Sequence, residues 1–399
     1  MTIRCFVFLL LLLAFVQSQA QPYVPRPKPA RTDYLVGALY FAGWDTDSSR
    51  NPWAKIVPFP NRKPYLGWYD EGSPEVADWE IKWALEHGIS YFTYCWYRKP
   101  NNLGKPVSDT THFKGHAIHK GLFRARYRDQ FRFSILWENQ GGAGVASVED
   151  FKQNVFPYWL KTYFRHPSYL KVDGKPVLHF YKLTNLIDQL GSRQAVREVV
   201  DWMRAECVRA GFRGMLVLSD NRWARDGSRA ECGIDAVYFY TAMSGGKNER
   251  PTAQQVISGQ LTIFDEWIHT RREPVIPFAV VGWDPMPWAR KDPRQPWYDP
   301  DLMTRWQLDA VQFRQLLTGV KARMDSLPAT VPGRRMILLS NWNEWGEGMH
   351  LAPHEKEGFG YLDAVRAVFT TEPQPADHRR PEDLKLGPYD RDFRRFNTR

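Results

Sequence analysis

Two glutamates close to the C-terminal end of the chain, Glu344 and Glu347, have the residue type and spacing for acid–base chemistry on one substrate. They lie in residues 337–351, where a short apolar run meets a loop with two tryptophans and two glycines. Two carboxyl groups that share a site cannot both ionise freely, so their pKa values separate and one acts as acid while the other acts as base. Cleavage of a glycosidic bond requires this division of roles. The stretch therefore predicts a candidate catalytic pair for glycoside hydrolysis.

The same stretch has a simpler interpretation, because surface loops with two glutamates and a tryptophan are common and a motif alone is only a hypothesis. The sequence on either side of the stretch favours a catalytic role. An apolar run suited to a buried strand, residues 337–339, precedes the loop, and a helical pattern at residues 361–369 follows it. This order is typical of a barrel enzyme, whose reactive groups lie at the carboxyl ends of its strands.

Eight apolar, β-branched or aromatic runs have the composition of buried strands. They are residues 35–41, 89–94, 131–137, 177–181, 215–219, 236–240, 275–281 and 336–340. Helical patterns alternate with them at residues 74–87, 148–163, 193–209, 253–271, 305–326 and 361–369, with weaker candidates at residues 116–127 and after Asn221.

This alternation requires parallel strands joined by crossovers, so eight units predict an α/β protein with one (β/α)8 TIM barrel over residues 33–370. An open doubly wound sheet is the competing architecture. The first strand is followed by Phe41-Ala42-Gly43-Trp44, which has one glycine and is not a glycine-rich phosphate loop.

In a barrel, the residues that follow each strand share one mouth. Sugars have apolar C–H faces and ring hydroxyls, so aromatic rings and short hydrogen-bonding side chains complement them. The candidate sugar-binding residues are Tyr40, Trp44, Tyr94, Trp96, Trp137, Glu138, Asn139, Tyr181, Asp220, Tyr240, Trp283, Asp284, Asn341, Asn343 and Trp345. Because the chain has 17 Trp and 18 Tyr, about half of the aromatic candidates are expected to pack in the core instead.

Glu138 and Asp284 each follow a strand directly and stand beside a tryptophan. Glu138 either binds a sugar hydroxyl, shifts the pKa of a catalytic glutamate, or forms a structural ion pair, and the sequence leaves these open. His350, His354 and Glu355 lack a metal-binding spacing such as H-E-x-x-H, so we expect no metal and no cofactor.

The first twenty residues have the features of a cleavable secretory signal: Arg4, an apolar run at residues 6–16 and the small residues around Ala20. The run is too short to span a membrane, although an uncleaved anchor is the alternative. We therefore expect a secreted or periplasmic protein without stable membrane insertion after cleavage. Residues 21–32 are rich in proline and predict a linker, and residues 371–399 predict a polar tail that lies on the surface or is disordered.

The formal net charge of +10 is spread along the chain without a run of Lys and Arg. This pattern argues against a nucleic-acid partner and favours a solvated surface that could attract acidic glycans. We expect a monomer whose partner is a carbohydrate. Of the four cysteines, Cys5 lies in the predicted signal. Cys95, Cys207 and Cys232 would remain after cleavage, and this odd number at unrelated spacings argues against a disulfide framework and a zinc site. Two alternatives remain open: a disulfide between Cys207 and Cys232, or a free buried thiol at each of these positions.

Several short stretches together resemble the WbsX-like group, which is related to glycoside hydrolase family 99, the endo-α-mannosidases. They are YFAGW at residues 40–44, WEIKWA at 79–84 with EHGI at 86–89, WEN at 137–139, HPSYLK at 166–171 with DGKPV at 173–177, and WNEWGEG at 342–348. The resemblance extends over residues 34–370. It is specific because these stretches occur together, whereas no single stretch is specific by itself.

The resemblance implies a (β/α)8 barrel that acts on carbohydrate. In the E-W-x-E motif of family 99, the first glutamate draws a proton from the sugar 2-hydroxyl and the second is the general acid/base at the glycosidic oxygen. These roles would fall on Glu344 and Glu347, with an anhydro sugar as intermediate and net retention. The chain differs from family 99 in having Gly346 where a histidine usually stands.

Two other functions stay open. WbsX-like proteins have been described as glycosyltransferases, but an exported enzyme would find no nucleotide sugar and no phosphate-binding loop is recognisable. A carbohydrate-binding barrel without turnover is the other, since a fold alone does not establish activity.

Overall fold

The computed structural model describes residues 22–46, 51–140, 144–220, 227–242, 249–390 and 393. Its main sheet contains the strands β1 (Leu35–Tyr40), β2 (Ile89–Arg98), β3 (Arg132–Trp137), β4 (Lys175–Phe180), β5 (Leu216–Asp220), β6 (Ala236–Tyr238), β7 (Phe278–Val280) and β8 (Met336–Ser340). These eight parallel strands form a nearly closed barrel within a single domain, with the order β6-β5-β4-β3-β2-β1-β8-β7. The predicted (β/α)8 fold is confirmed.

Two junctions distinguish this barrel from an open sheet. The first and last strands are neighbours, since β1 pairs in parallel with β8 and Gly37 lies opposite Leu338. On the other side, β6 pairs with the residues just before β7 through a parallel bridge between Val237 and Val275. The Ile276 N–H also donates to the Val237 carbonyl at 2.8 Å. The doubly wound alternative is therefore excluded.

Helices follow most of the strands, and several begin at a side-chain cap that the sequence provides. Ser73 accepts from the Val76 N–H and Pro74 takes the first turn of α1, where its missing N–H costs nothing. The helices are α1 (Pro74–Glu86), α2 (continuous α- and π-helical turns, Val148–Asp150, Phe151–Val155, Phe156–Trp159 and Leu160–Phe164), α3 (Leu183–Leu190), α4 (Arg193–Arg209), α5 (Ser228–Glu231), α6 (Ala253–Asp265, extended by Glu266–Thr270), α7 (Ala310–Ser326) and α8 (Gly360–Phe369).

The structure corrects several predicted boundaries. The strand expected to end at residue 94 continues to Arg98, because β2 goes on to pair with β3 and then with the short strand His112–Phe113. The helix expected from residue 305 begins at Ala310, since Trp306–Gln307 forms a small antiparallel sheet with Gly282–Trp283. Helix α3 was not predicted, and the weak helical pattern at residues 116–127 forms only the short turns Ala117–Gly121 and Leu122–Arg124.

Side chains alternate along each strand between the barrel interior and the layer beneath the helices. Gly37 makes room in the interior, because a Cβ there would lie 2.0 Å from the ring of Tyr91. The Tyr91 hydroxyl donates to the Ile337 carbonyl at 3.2 Å and closes this contact. The interior cluster includes Leu39, Tyr91, Cys95, Leu136, Val177, Leu218, Tyr238, Ile276 and Leu338.

The segments before and after the barrel contact its helices. Residues 22–32, predicted as a linker, include Val24, whose carbonyl accepts from the Tyr127 hydroxyl at 2.6 Å, and Ala30, whose N–H donates to the Leu85 carbonyl at 2.9 Å. In the predicted tail, the Tyr389 hydroxyl accepts from Trp79 Nε1 at 3.0 Å. The predicted signal, residues 1–20, lies outside the described residues. Within the described part of the chain, no helix is both long and apolar enough to cross a membrane.

Candidate functional site

The loop after β8 is a tight hairpin that carries both glutamates at its tip. Asn343–Glu344 pairs in antiparallel fashion with Met349–His350. Gly348 adopts φ of +73°, a conformation that side chains rarely tolerate, and the chain reverses there. The Glu347 N–H donates to the Glu344 carbonyl at 3.3 Å. The two carboxyl groups are therefore held on one short and well-defined turn.

The back of this hairpin is anchored to the chain that follows β1. Both ends of the Asn343 amide bond the Phe41 backbone: Oδ1 accepts from the N–H at 2.8 Å, and Nδ2 donates to the carbonyl at 3.0 Å. Trp44 Nε1 donates to the Asn343 carbonyl at 2.8 Å. Trp345 is fully buried, and its Nε1 donates to the Tyr69 hydroxyl at 3.3 Å. Asn343, Trp44 and Trp345, predicted to bind sugar, instead hold the hairpin in place.

A buried arginine joins the hairpin to the loop after β7. Arg62 Nη1 donates to the Trp345 carbonyl at 2.9 Å, while Arg62 forms an ion pair with Asp284 at 2.7 Å. Burial lowers the pKa of Arg62, and the charge of Asp284 opposes that shift. The Asp284 N–H in turn donates to the Glu347 carbonyl at 2.6 Å. Asp284 therefore fixes the backbone beside Glu347.

Two tyrosines hold the Glu347 carboxylate. The Tyr240 hydroxyl donates to Oε2 at 2.7 Å, and the Tyr298 hydroxyl donates to Oε1 at 2.6 Å. Burial and the nearby charge of Glu347 raise the pKa of both phenols, so they stay protonated donors. Tyr298 was not predicted, because it lies in the long segment after β7 and no strand end marks it.

Glu344 has a different environment. Its side chain is 3% exposed, and Oε1 has no hydrogen-bond partner among the described residues. Burial, followed by the charge of Glu347, raises the pKa of Glu344 well above its usual value, while Lys114, the Gly346 backbone and the Trp288 side chain oppose the shift. Glu344 therefore favours the protonated form when no ligand is present.

Gly346 is required by the close approach of Trp288. A Cβ at residue 346 would lie 1.9–2.2 Å from atoms of the indole ring. The same indole lies 6.3 Å from the ring of Trp44 in a stacked arrangement. Trp288 thus covers the hairpin tip between the two glutamates, a position that the sequence did not reveal because Trp288 does not directly follow any predicted strand.

Glu138, Tyr97 and Lys114 complete the polar interior around Glu344. Burial raises the pKa of Glu138, and Lys114 opposes the shift. Burial raises the pKa of Tyr97 well above its usual value, with Cys95, Glu138 and Glu344 adding to the shift. The Lys114 Nζ lies 4.8 Å from the ring centroid of Tyr97. Tyr97 and Lys114 were not predicted, since the strand was expected to end at residue 94.

The structure does not bring four predicted aromatic residues to the mouth: Tyr40, Tyr94, Trp96 and Trp137. They belong to the buried layer outside the barrel. The Tyr40 hydroxyl donates to Glu80 of α1 at 3.0 Å, and Trp137 packs against Trp159 of α2 at 5.1 Å. Because strand residues alternate in direction, Tyr97 faces inward whereas Tyr94 and Trp96 face outward.

The remaining predicted residues divide between the mouth and its supports. Tyr181 lies in the mouth, with its ring 5.6 Å from that of Tyr240. Asp220 is fully buried and accepts from the Tyr240 N–H at 3.1 Å. Asn139 bonds the Lys182 backbone through both ends of its amide, at 2.8 and 2.9 Å. Two further predicted residues, Trp283 and Asn341, are buried at 5% and 1% exposure.

A cavity of about 390 Å³ adjoins the hairpin. Arg62, Asp284, Gln307, His350 and Tyr361 are among the residues that line it. Neither glutamate does, so this cavity lies beside the carboxyl pair and not around it.

The fold is a (β/α)8 barrel that is similar to those of several solved structures. Similar solved structures include a GH99 endo-alpha-mannosidase from Bacteroides thetaiotaomicron, with a TM-score of 0.55 and 15% identity over 92% of this chain and 98% of that chain. A glycoside hydrolase-like protein is similar with a TM-score of 0.59 and 16% identity, over 88% of this chain and 98% of that chain.

The chain belongs to the WbsX family, since the family described as Glycosyltransferase WbsX matches residues 58–365. The uncharacterized protein WxcX of Xanthomonas campestris pv. campestris, in strains B100 and ATCC 33913, is 22% identical. The match covers 89% of this chain and 50% of each relative, so the chain spans about half the length of the curated relatives it matches.

Proposed function

We propose that this protein is a secreted glycoside hydrolase that cleaves an oligo- or polysaccharide with Glu344 and Glu347, with retention of configuration. One observation carries the proposal: two buried carboxyl groups share the tip of one hairpin at the carboxyl ends of the strands, and Glu344 Oε1 has no hydrogen-bond partner within the described part of the chain. A rigid pair with spare acceptor capacity suits a ligand whose hydroxyls supply the missing hydrogen bonds.

The roles follow from the resemblance to family 99. Glu344 accepts the proton of the sugar 2-hydroxyl as the 2-oxygen attacks the anomeric carbon, and Glu347 donates its proton to the leaving glycosidic oxygen. The anhydro sugar then opens when Glu347 takes a proton from water, the water oxygen bonds the anomeric carbon, and Glu344 returns its proton to the 2-oxygen. Two inversions at the same carbon give net retention.

These roles require the proton of the pair to move when substrate binds. In the free protein the raised pKa of Glu344 holds the proton there, whereas Glu347 accepts hydrogen bonds from Tyr240 and Tyr298. A bound sugar reverses this preference, because its 2-hydroxyl donates to Glu344 and its glycosidic oxygen needs a donor from Glu347.

The surroundings of the pair support a carbohydrate ligand. Tyr97, Tyr181, Tyr240, Tyr298 and Trp288 combine ring faces with hydroxyl or N–H groups, which match the apolar faces and hydroxyls of a sugar. The related solved structure is named as an endo-alpha-mannosidase, and we extend only the class of substrate, an oligosaccharide, to this chain.

A second candidate is glycosyl transfer, which the description of the family favours. The same carboxyl pair would then act on an activated donor, and the acceptor would be a sugar hydroxyl instead of water. The secretory signal predicted at residues 1–20 argues against this candidate, because a nucleotide sugar would not reach an exported protein. A sugar-binding barrel without turnover is the third candidate.

The test is a screen of the chain without residues 1–20 against a panel of polysaccharides, with release of reducing ends as the measurement. We expect Glu344→Gln and Glu347→Gln each to lower turnover by about 1,000-fold or more, because each removes a proton-transfer group. Glu355→Gln, at an exposed glutamate near the motif, is the matched control and should keep wild-type turnover. Wild-type rates in both pair variants would refute the assignment of the site.

An aryl glycoside with a good leaving group separates the two roles. Such a substrate needs no general acid for bond cleavage, so Glu347→Gln should regain much of its rate on it while Glu344→Gln should not. The opposite result would exchange the roles. Turnover that depends on a nucleotide sugar would favour the transferase, and binding without product would favour the inactive barrel.

A further inference from the structure

Three potential metal ligands meet where α1, α8 and the segment after α8 come together. His87 caps the carboxyl end of α1, Asp363 lies in the first turn of α8, and His378 lies nine residues beyond Phe369, the last residue of α8. The His378 Nε2 is 2.9 Å from Asp363 Oδ1, and the His87 Nε2 is 3.5 Å from the same oxygen. All three ligand atoms lie within 4.8 Å of one another.

The tautomer of His87 is determined by its surroundings. Its Nδ1 lies 2.6 Å from the Trp83 carbonyl, which can only accept, so Nδ1 carries the proton. In the neutral ring, Nε2 then presents a lone pair. His87 is 0% exposed, and its Nε2 has no hydrogen-bond partner among the described residues. A buried lone pair therefore faces the Asp363 carboxylate, an arrangement that a positive charge between the two groups would stabilise.

The distances between these groups leave room for a metal ion. A proton would make an imidazolium–carboxylate bond, which is normally about 2.7–2.9 Å long, shorter than the observed 3.5 Å between His87 Nε2 and Asp363 Oδ1. A metal ion with bonds of about 2.0–2.1 Å in a tetrahedral arrangement separates its ligand atoms by about 3.3 Å. The observed 2.9 and 3.5 Å lie on either side of that value.

We propose that His87, Asp363 and His378 bind one late first-row divalent metal ion of the Zn²⁺ class through two imidazole nitrogens and one carboxylate oxygen. Two nitrogen ligands favour Zn²⁺, Co²⁺ or Ni²⁺ over Mg²⁺ and Ca²⁺, which take oxygen ligands. Binding requires His378 to move its proton from Nε2 to Nδ1, so the His378–Asp363 hydrogen bond is replaced by two metal bonds. Water fills the open position.

The surroundings have the features that support a metal site. The Trp83 carbonyl orients His87, as a hydrogen bond to the second ring nitrogen commonly does for metal-bound histidine. The Phe359 ring stacks on His378 at 4.5 Å and lies 5.9 Å from His87, which limits the movement of both rings. The ion would tie the segment after α8 to the barrel wall, away from Glu344 and Glu347. The proposal is independent of the proposed function.

The test uses the full chain, freed of any affinity tag, stripped with a chelator and titrated with Zn²⁺ by calorimetry and with Co²⁺ by visible absorption. We expect one ion per chain, a Co²⁺ spectrum of four-coordinate type, and a higher Tm with Zn²⁺ but not with Mg²⁺. Affinity should weaken as the pH falls from 7.5 to 5.5, because protons compete for the imidazole nitrogens.

Variants connect the binding to these three residues. His378→Ala removes an exposed ligand and should lower Zn²⁺ affinity about 100-fold with little change in the Tm of the metal-free protein. Asp363→Asn should weaken binding about tenfold. His269→Ala, at an exposed histidine outside the cluster, is the control. Wild-type affinity in His378→Ala, or no ion bound by the wild-type chain at pH 7.5, would overturn the proposal.

Discussion

The two sides of the hairpin at residues 341–351 differ in how well their polar groups are satisfied. On the back, the Asn343 amide and the Trp345 indole make well-formed hydrogen bonds to Phe41 and Tyr69. On the front, Glu344 is buried with a raised pKa, and its Oε1 finds no hydrogen-bond partner among the residues that the structure describes. A buried polar group without a partner costs free energy, and such groups concentrate where a ligand completes them. The back therefore provides rigidity, whereas the front is arranged for a ligand.

The comparison predicts that changes on the back act on stability and changes on the front act on turnover. A substitution on the front removes a group that is costly to bury, so stability should be unchanged or higher. A substitution on the back removes packing and hydrogen bonds that position both glutamates, so stability and turnover should fall together.

The largest effect is expected for Trp345→Ala on the back. Trp345 is fully buried, and truncation of a buried tryptophan costs about 3–5 kcal/mol. Urea unfolding should show this loss, and turnover should fall with it. Trp297→Ala is the control, because Trp297 is 48% exposed. A Trp345→Ala variant that loses turnover but keeps its free energy of unfolding would contradict the division between back and front.

A smaller effect is expected where the hairpin meets Trp288. Gly346→Ala introduces a Cβ into the space of the indole, and overpacking of this kind costs about 1–3 kcal/mol. Turnover should also fall, because relief of the clash moves Glu344 or Glu347. Adding Trp288→Ala should recover stability relative to Gly346→Ala alone. If the free-energy changes of the two substitutions simply add, the two residues do not compete for the same space.

The smallest effect concerns pH and Glu80, which supports the back by accepting from Trp342 Nε1 at 3.0 Å. Burial raises the pKa of Glu80 from 4.5 to about 8. Between these values the folded protein keeps a proton that the unfolded chain releases, so stability falls as the pH rises from about 4.5 to about 8.

Glu80→Gln removes that titration. We expect the variant to gain stability relative to wild type by on the order of 1 kcal/mol between pH 5 and pH 6, measured by urea unfolding at both pH values. Equal differences between variant and wild type at the two pH values would show that Glu80 does not titrate in this interval.

The sequence predicted the barrel well because each strand is short, apolar and separated by a helical pattern, and helix ends carry local signals. Helix α4 has the predicted bounds, Arg193–Arg209, since Ser192 caps it. The site was predicted less completely. Tyr94 and Trp96 were expected in the mouth, but β2 is longer than its apolar run, and the inward residue at its end is Tyr97. When the end of a strand is predicted wrongly, the residues expected at that end are also wrong.

The amino-acid sequence by itself determined the alternation of strands and helices, the position of Glu344 and Glu347 on a turn, and the resemblance to a carbohydrate-active family. These depend on local composition and on short motifs, which act over a few residues. Only the tertiary structure decided that Tyr298 and Trp288 reach the glutamates, that Asn343 and Trp345 face away, and that His87 and His378 meet. Such contacts join residues far apart in the chain, and barrel closure and side-chain direction bring them together, so no local pattern could show them.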